Sequence, residues 1–283
     1  MLLAILAIGT FATSCSNDDD NATTNANLTL DLNGLEALGS DYVYEGWMIV
    51  NGAPISTGTF SSVTFPQTFS VNADQLSSAT RFVLSIEPAN DLDPAPTDTK
   101  LLVGDFSGNS ANVNTDVVGD FSTAAGAFFL RTPTDETGTN NGNDENGVWF
   151  GTPGAPPTPN FVLPELPAGW AYEGWVVGDS GPITTGTFNA FNTADVFDDF
   201  SETSQAGPPV PGEDFFLNAP TGETFPLDVR GRTVVISVEP VPDNSPAPFA
   251  IKPLVGTAGQ DTAPATYNFG QNLASLPWGE VTR

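Results

Sequence analysis

Histidine is absent from the 283 residues, cysteine occurs once, and Lys+Arg number 7 against 34 Asp+Glu. Each scarcity removes a class of chemistry. Without His there is no Ser-His-Asp triad, no Cys-His dyad and no imidazole metal ligand. A single Cys supplies neither an intramolecular disulfide nor a thiolate zinc site. The formal net charge of −27 repels nucleic-acid phosphate and anionic lipid headgroups, so neither is expected as a partner. The Gly-rich pieces lack the phosphate-loop pattern and its Lys. No segment of helical period runs long.

What is present begins with an apolar leader, Met1 to Ser14, ending in small residues directly before Cys15. It has the shape of a secretory signal peptide and falls short of the roughly 20 residues that a spanning helix needs. Ala12-Thr13-Ser14-Cys15 resembles a bacterial lipobox, which would make Cys15 the lipidated first residue of the mature chain. Ala12 stands where Leu is commoner, and the leader lacks its usual Lys or Arg. Residues 15–27 are polar and acidic and read as a flexible tether. Acidic residues directly after such a cysteine resemble the surface-export signal of lipoproteins in the Bacteroidetes. The expectation is an outer-membrane lipoprotein of the cell envelope, held by lipid alone, with surface display left open.

An internal duplication is the strongest signal. Tyr44-Glu45-Gly46-Trp47 recurs as Tyr172-Glu173-Gly174-Trp175, and Pro54 to Phe60 recurs as Pro182 to Phe188, both at an offset of 128. Glu87-Pro88, Asp91, Ala95-Pro96, Lys100 and Leu102-Val103-Gly104 recur at an offset of 152, as Glu239-Pro240, Asp243, Ala247-Pro248, Lys252 and Leu254-Val255-Gly256. The second copy therefore carries 24 extra residues between Phe188 and Val234. Both copies read as β. Phe82, Leu84 and Ile86 share one face of a strand, as do Val234, Ile236 and Val238. With 28 Gly and 25 Pro punctuating short apolar runs, the pattern predicts an all-β chain of two tandem β-sandwiches. Their expected bounds are 28–150 and 161–283, joined by a Pro-rich linker at 151–160. Residues 137–147 read as the tip of a hairpin ending in Val148-Trp149-Phe150.

The two lysines, Lys100 and Lys252, occupy the same repeat position. Strict alternation puts Glu45 on the face of Trp47, so the carboxylate needs either a bulge at Gly46 or a cation. The expectation is a structural ion pair of Lys100 with Glu45 or Glu87, and of Lys252 with Glu173 or Glu239. Trp47 and Trp175 read as core residues, whereas Trp149 and Trp278, outside the duplicated strand, are freer to be exposed. The insertion, within Asn189 to Pro226, interleaves carboxylates with aromatics. Asp195, Asp198, Asp199, Glu202, Phe197 and Phe200 form a candidate ligand or partner loop, against the plainer reading of a solvated acidic loop. Glu213 and Asp214 belong to the same stretch. No Asp-x-Asp-x-Asp-Gly spacing marks a calcium loop, and no carboxylate pair stands out as glycosidase acids. No catalytic residue, metal or cofactor is expected.

The Tyr-Glu-Gly-Trp strand, the following Thr-Gly-Thr-Phe strand and the apolar strand closed by Glu-Pro together resemble the C-terminal extracytoplasmic domain of anti-sigma-K (RskA-like) factors. The likeness covers about 50–60 residues of each copy. It implies an Ig-like sandwich with an extracytoplasmic, non-catalytic role. That family's sigma-binding helical domain and transmembrane helix have no counterpart in these residues. The expected function is binding, sensing or structural, with an envelope protein as partner; the alternative is a carbohydrate-binding or adhesin-type lipoprotein with a surface glycan, its stabilisation by calcium left open.

Overall fold

A computed structural model describes residues 24–136 and 141–283. As the sequence predicts, the protein is all-β, and its strands form four antiparallel sheets. In chain order the first seven strands are β1 (Asn25–Asn33), β2 (Tyr42–Val50), β3 (Ala53–Phe60), β4 (Gln67–Asn72), β5 (Arg81–Pro88), β6 (Lys100–Asp105) and β7 (Ser110–Val113). A short helix, α1 (Ala73–Ser78), follows β4 and is capped by the Asn72 side chain. Then come β8 (Ala127–Leu130), β9 (Gly147–Phe150), β10 (Trp170–Val177), β11 (Pro182–Phe188), β12 (Gly212–Asp214), β13 (Thr233–Pro240), β14 (Leu254–Thr257), β15 (Tyr267–Asn268), β16 (Gly270–Gln271) and β17 (Trp278–Thr282). No helix among the described residues is long and apolar enough to cross a membrane.

The first sandwich pairs the sheet β3-β2-β5-β6 with the sheet β4-β1-β17-β7. Alternation sets its core: Leu28, Leu30 and Leu32 of β1 are buried between exposed neighbours, and they share the interior with Tyr44, Met48, Phe82, Leu84 and Ile86. The second sandwich pairs β11-β10-β13-β14-β16 with β12-β9-β8-β15. Its interior is aromatic. The Phe150 ring lies 5.9 Å from Phe161 and from Phe188, and Phe128 lies 4.9 Å from Phe269. Offset and tilted rings of this kind add attraction beyond the area they bury.

The strand pairing divides the chain at other places than the sequence suggests. Strand β17, expected at the end of the second sandwich, lies between β1 and β7, with Leu30 opposite Val281 and Ala111 opposite the same residue. Strands β8 and β9, expected in the first sandwich, pair as a hairpin inside the second, where β12 and β15 flank them. The chain therefore crosses between sandwiches after β7 and again before β17. Residues 151–160 are no linker: Thr152 and Thr158 exchange backbone hydrogen bonds of 2.8 and 3.0 Å, and Gly151 N–H donates to Ala127 O. The prolines shape a closed turn there, which satisfies the backbone that a spacer would leave to water. At the other end β1 starts at Asn25, so residues 25–27 of the expected tether are strand. Cys15 and the leader lie outside the described residues.

Candidate functional site

Both copies of the Tyr-Glu-Gly-Trp strand are built on the same local device. The register between β2 and β3 shifts at Gly46/Trp47, so Thr57 is an extra residue on β3. The register between β10 and β11 shifts at Gly174/Trp175, leaving Thr185 extra. Gly58 and Gly186 take φ of +112° and +102° at these bulges, a conformation that glycine adopts at little cost. The bulge turns a hydroxyl toward the neighbouring carboxyl: Ser56 Oγ donates to Glu45, and Thr184 Oγ1 donates to Glu173. The expected cation is thus replaced by a hydroxyl. Lys100 Nζ instead donates to Thr97 O at 2.8 Å, and among the described residues no ion pair within 4.0 Å includes either lysine. Lys252 is nonetheless under the field of Glu36 and Glu239, which counters the lowering of its pKa by burial.

Trp47 and Trp175 are buried, yet on the faces turned away from the sandwich cores. Each starts a polar relay. Trp47 Nε1–H donates to Ser85 Oγ at 2.7 Å, Ser85 donates to Glu87, and Thr97 N–H donates to Glu87 at 3.0 Å. In the second copy Trp175 Nε1–H donates to Ser237 Oγ at 2.7 Å, Ser237 donates to Glu239, and Phe249 N–H donates to Glu239 at 2.9 Å. Glu87 and Glu239 are both fully buried. Burial raises the pKa of both, that of Glu239 to about 8, and burial lifts Glu173 to about 7. At Glu239 a pKa near 8 favours the neutral carboxyl, which needs no lysine beside it. The repeated Ser-x-Glu-Pro at the ends of β5 and β13 was the available signal for the relay.

The insertion is not a solvated loop throughout. Asp198 and Asp199 are exposed and Glu202 is half-buried, but Phe200 packs edge-on against Phe197 and Phe225 inside the second sandwich. Its strand β12 pairs with β9, and this buries Glu213 and Asp214 completely. Asp214 accepts from Thr134 N–H and from Trp149 Nε1–H, both at 2.8 Å, so Trp149 is interior while Trp278 is 59 % exposed. Glu213 accepts from Ser201 Oγ, and its Oε2 has no hydrogen-bond partner among the described residues. Asp195 accepts from Gly212 N–H and Phe197 N–H. Burial pushes Glu213 up to about 9, Asp214 to about 7 and Asp195 to about 6. The carboxyls lock the insertion onto the sheet. No group of three or more acidic or thiol side chains with metal-holding geometry occurs among the described residues. The candidate loop thus splits, with Phe200 in the core and Asp198 and Asp199 outside.

Sequence reading missed a cleft of about 780 Å³ between the sandwiches. That size suits a sizeable ligand. One wall is the 36–42 segment with Ile86, Pro88 and residues 97–99; the other is Gly169, residues 240–246 and Phe249. The duplicated Glu-Pro corners thus face each other. Tyr44 Oη–H donates to Glu36 O at 2.8 Å and ties one wall to β2, as Tyr172 ties Pro164 eight residues upstream at 2.6 Å. The relays end at the cleft: the backbone N–H groups of Thr97 and Phe249, both wall residues, are the last donors to Glu87 and Glu239. Asn244 Nδ2 bonds Asp41 across the two walls at 3.4 Å.

Among curated proteins and among solved structures, nothing matches this chain. Residues 19–100, which contain the whole first wall of the cleft, match the family model described as anti-sigma-K factor rskA, C-terminal, and this stretch is accordingly similar to the C-terminal domain of those factors.

Proposed function

We propose that the protein is a non-enzymatic, extracytoplasmic binding or sensing module of the bacterial cell envelope, lipid-anchored at Cys15, and that it engages its partner in the inter-sandwich cleft. One observation carries the reading. The anti-sigma-like stretch supplies one wall of the cleft and the duplicated copy supplies the other. The apolar leader ending at Cys15 and the acidic segment after it support the location. Removal of the leader would leave the sandwiches on a short acidic tether outside the membrane. Phe200 and Phe215 of the insertion pack inward, which removes two of the aromatics the glycan alternative would use.

The test immobilises the whole chain by its N-terminal end against solubilised envelope proteins and, separately, cell-surface polysaccharide. Val241 lies in the cleft wall at 52 % exposure, so Val241→Arg obstructs the cleft without disturbing a core. Protein retention lost in Val241→Arg supports the proposal. Retention indifferent to that substitution, or retention of polysaccharide alone, overturns it. Anchoring is tested separately: cells fed a clickable fatty acid should label the protein, and Cys15→Ser should abolish the label.

A further inference from the structure

The two cleft walls combine carboxylates with an apolar floor and contain no cation. Glu36, Asp41, Asp98 and Asp243 line the cleft, and no Lys or Arg does. Among the described residues none of the four takes part in an ion pair within 4.0 Å. Lys252 acts on Glu36 from behind the wall, through its field. Burial raises the pKa of Glu36 and of Asp243, so these carboxyls have lost part of their water. A concave, low-dielectric wall of one sign concentrates field lines and draws opposite charge toward it.

The floor is Leu38, Tyr42, Ile86, Val241 and Phe249, and Pro88, Pro240, Pro242 and Pro246 stiffen the rims. Prolines have no backbone N–H, and Pro88 and Pro240 close β5 and β13 at this point. A ligand strand therefore finds few backbone donors with which to extend a sheet along these rims, and side chains must do the recognising. Side chains that match an apolar floor rimmed by carboxylates have an aliphatic stem and a positive head. Lysine and arginine are built that way. The cleft takes its lining from both sandwiches.

Resting on the cleft reading above, we propose that the cleft receives an extended, cationic peptide segment of a partner protein, with lysine or arginine side chains laid over Leu38 and Tyr42 and their charges directed at Glu36, Asp41 and Asp243. Binding by such a segment neutralises carboxylates that the fold leaves without a counter-cation. The same arrangement rejects acidic segments, since like charges placed together oppose association.

The experiment uses the full chain and three fluorescein-labelled decapeptides of alternating Lys-Pro-Leu, Ser-Pro-Leu and Glu-Pro-Leu composition, read by anisotropy at low and high salt. The expected result is binding of the lysine peptide, weakened by salt, with no binding of the glutamate peptide. Asp41→Asn combined with Asp243→Asn, which leaves an acceptor oxygen for Asn244 Nδ2 and for Ser245 N–H, should weaken the lysine peptide about tenfold. Val241→Arg should abolish its binding, and the melting temperature of each variant reports on folding. Equal binding of the serine peptide, lost in Val241→Arg, overturns the cationic inference and keeps the cleft. Lysine-peptide binding that survives Val241→Arg overturns both. Displacement by spermine at concentrations equal to the peptide's own overturns the commitment to a peptide, and no binding of any probe overturns the proposal outright.

Discussion

Glu239→Gln separates a protonated buried carboxyl from a charged one. Glu239 is fully buried, accepts from Ser237 Oγ and Phe249 N–H, and has its pKa raised from 4.5 to about 8 by burial. The unfolded chain releases this proton near 4.5, whereas the folded chain keeps it until about 8. Between those values the native state binds the extra proton, so its contribution to stability is complete below about 4.5 and is lost as pH rises through about 8. At about 1.4 kcal/mol per pH unit, the loss is on the order of 5 kcal/mol for this one side chain. Glutamine keeps an oxygen for Ser237 and Phe249 and does not titrate. Urea unfolding of wild type and Glu239→Gln at pH 5, 6, 7, 8 and 9 reads the difference directly. The two proteins should lie close at pH 5, and the variant should become the more stable by several kcal/mol at pH 9. Parallel stability curves across that range would refute the argument that a proton occupies the site.

The remaining expectations concern the same framework. Ser237→Ala strips the relay of its middle member and leaves Trp175 Nε1–H and Glu239 without each other; a loss of about 2–4 kcal/mol and a red-shifted tryptophan emission should accompany it. Thr185→Val should stabilise by about 1 kcal/mol, because the fully buried hydroxyl at the bulge finds no hydrogen-bond partner among the described residues and valine keeps its shape; calorimetry decides, and a lowered melting temperature counts against it. Removal of residues 277–283 takes out β17 together with Arg283, whose guanidinium donates to Leu76 O and Ala79 O and lies 4.5 Å over the Phe106 ring. Hydrogen exchange should then accelerate throughout β1 to β7 while β8 to β16 stay protected, and uniform protection would contradict the strand order.

Local chemistry and duplication made much of the fold legible. The paired Tyr-Glu-Gly-Trp strands, the Glu-Pro ends and the β8-β9 hairpin each carry their pattern within a few residues. The position of β17 does not. Trp278-Gly-Glu-Val-Thr282 alternates like any half-buried strand, and nothing in five residues names a partner some 250 positions away. The Pro-rich 151–160 segment has the composition of a spacer, and only the Thr152–Thr158 bonds turn it into a closed loop. At the site, the reading of Glu45, Glu87, Glu173 and Glu239 assumed charged carboxylates in search of lysines. The bulge hydroxyls and the relays answer the same need with neutral groups. Acidic composition likewise concealed the division within the insertion, where Glu213 and Asp214 go inward and Asp198 and Asp199 outward. The cleft was hidden because its walls are the same corner of two copies far apart in the chain, and only the packing of the two sandwiches brings them together.

The place of β17 also sets an order in time. Strands β8 to β16 all lie between the two crossings, so the second sandwich has every strand it needs while the first is still waiting. Strands β1 and β7 cannot close their sheet until residues 278–282 have been made. During synthesis the first sandwich therefore stays open the longest although its first strands emerge first, since contacts of large sequence separation form late and slowly. A product that stops early would carry an intact second sandwich beside an unclosed sheet edge, the kind of exposed strand that proteases and aggregation act on. Strand β17 is thereby the piece whose arrival completes the first sandwich.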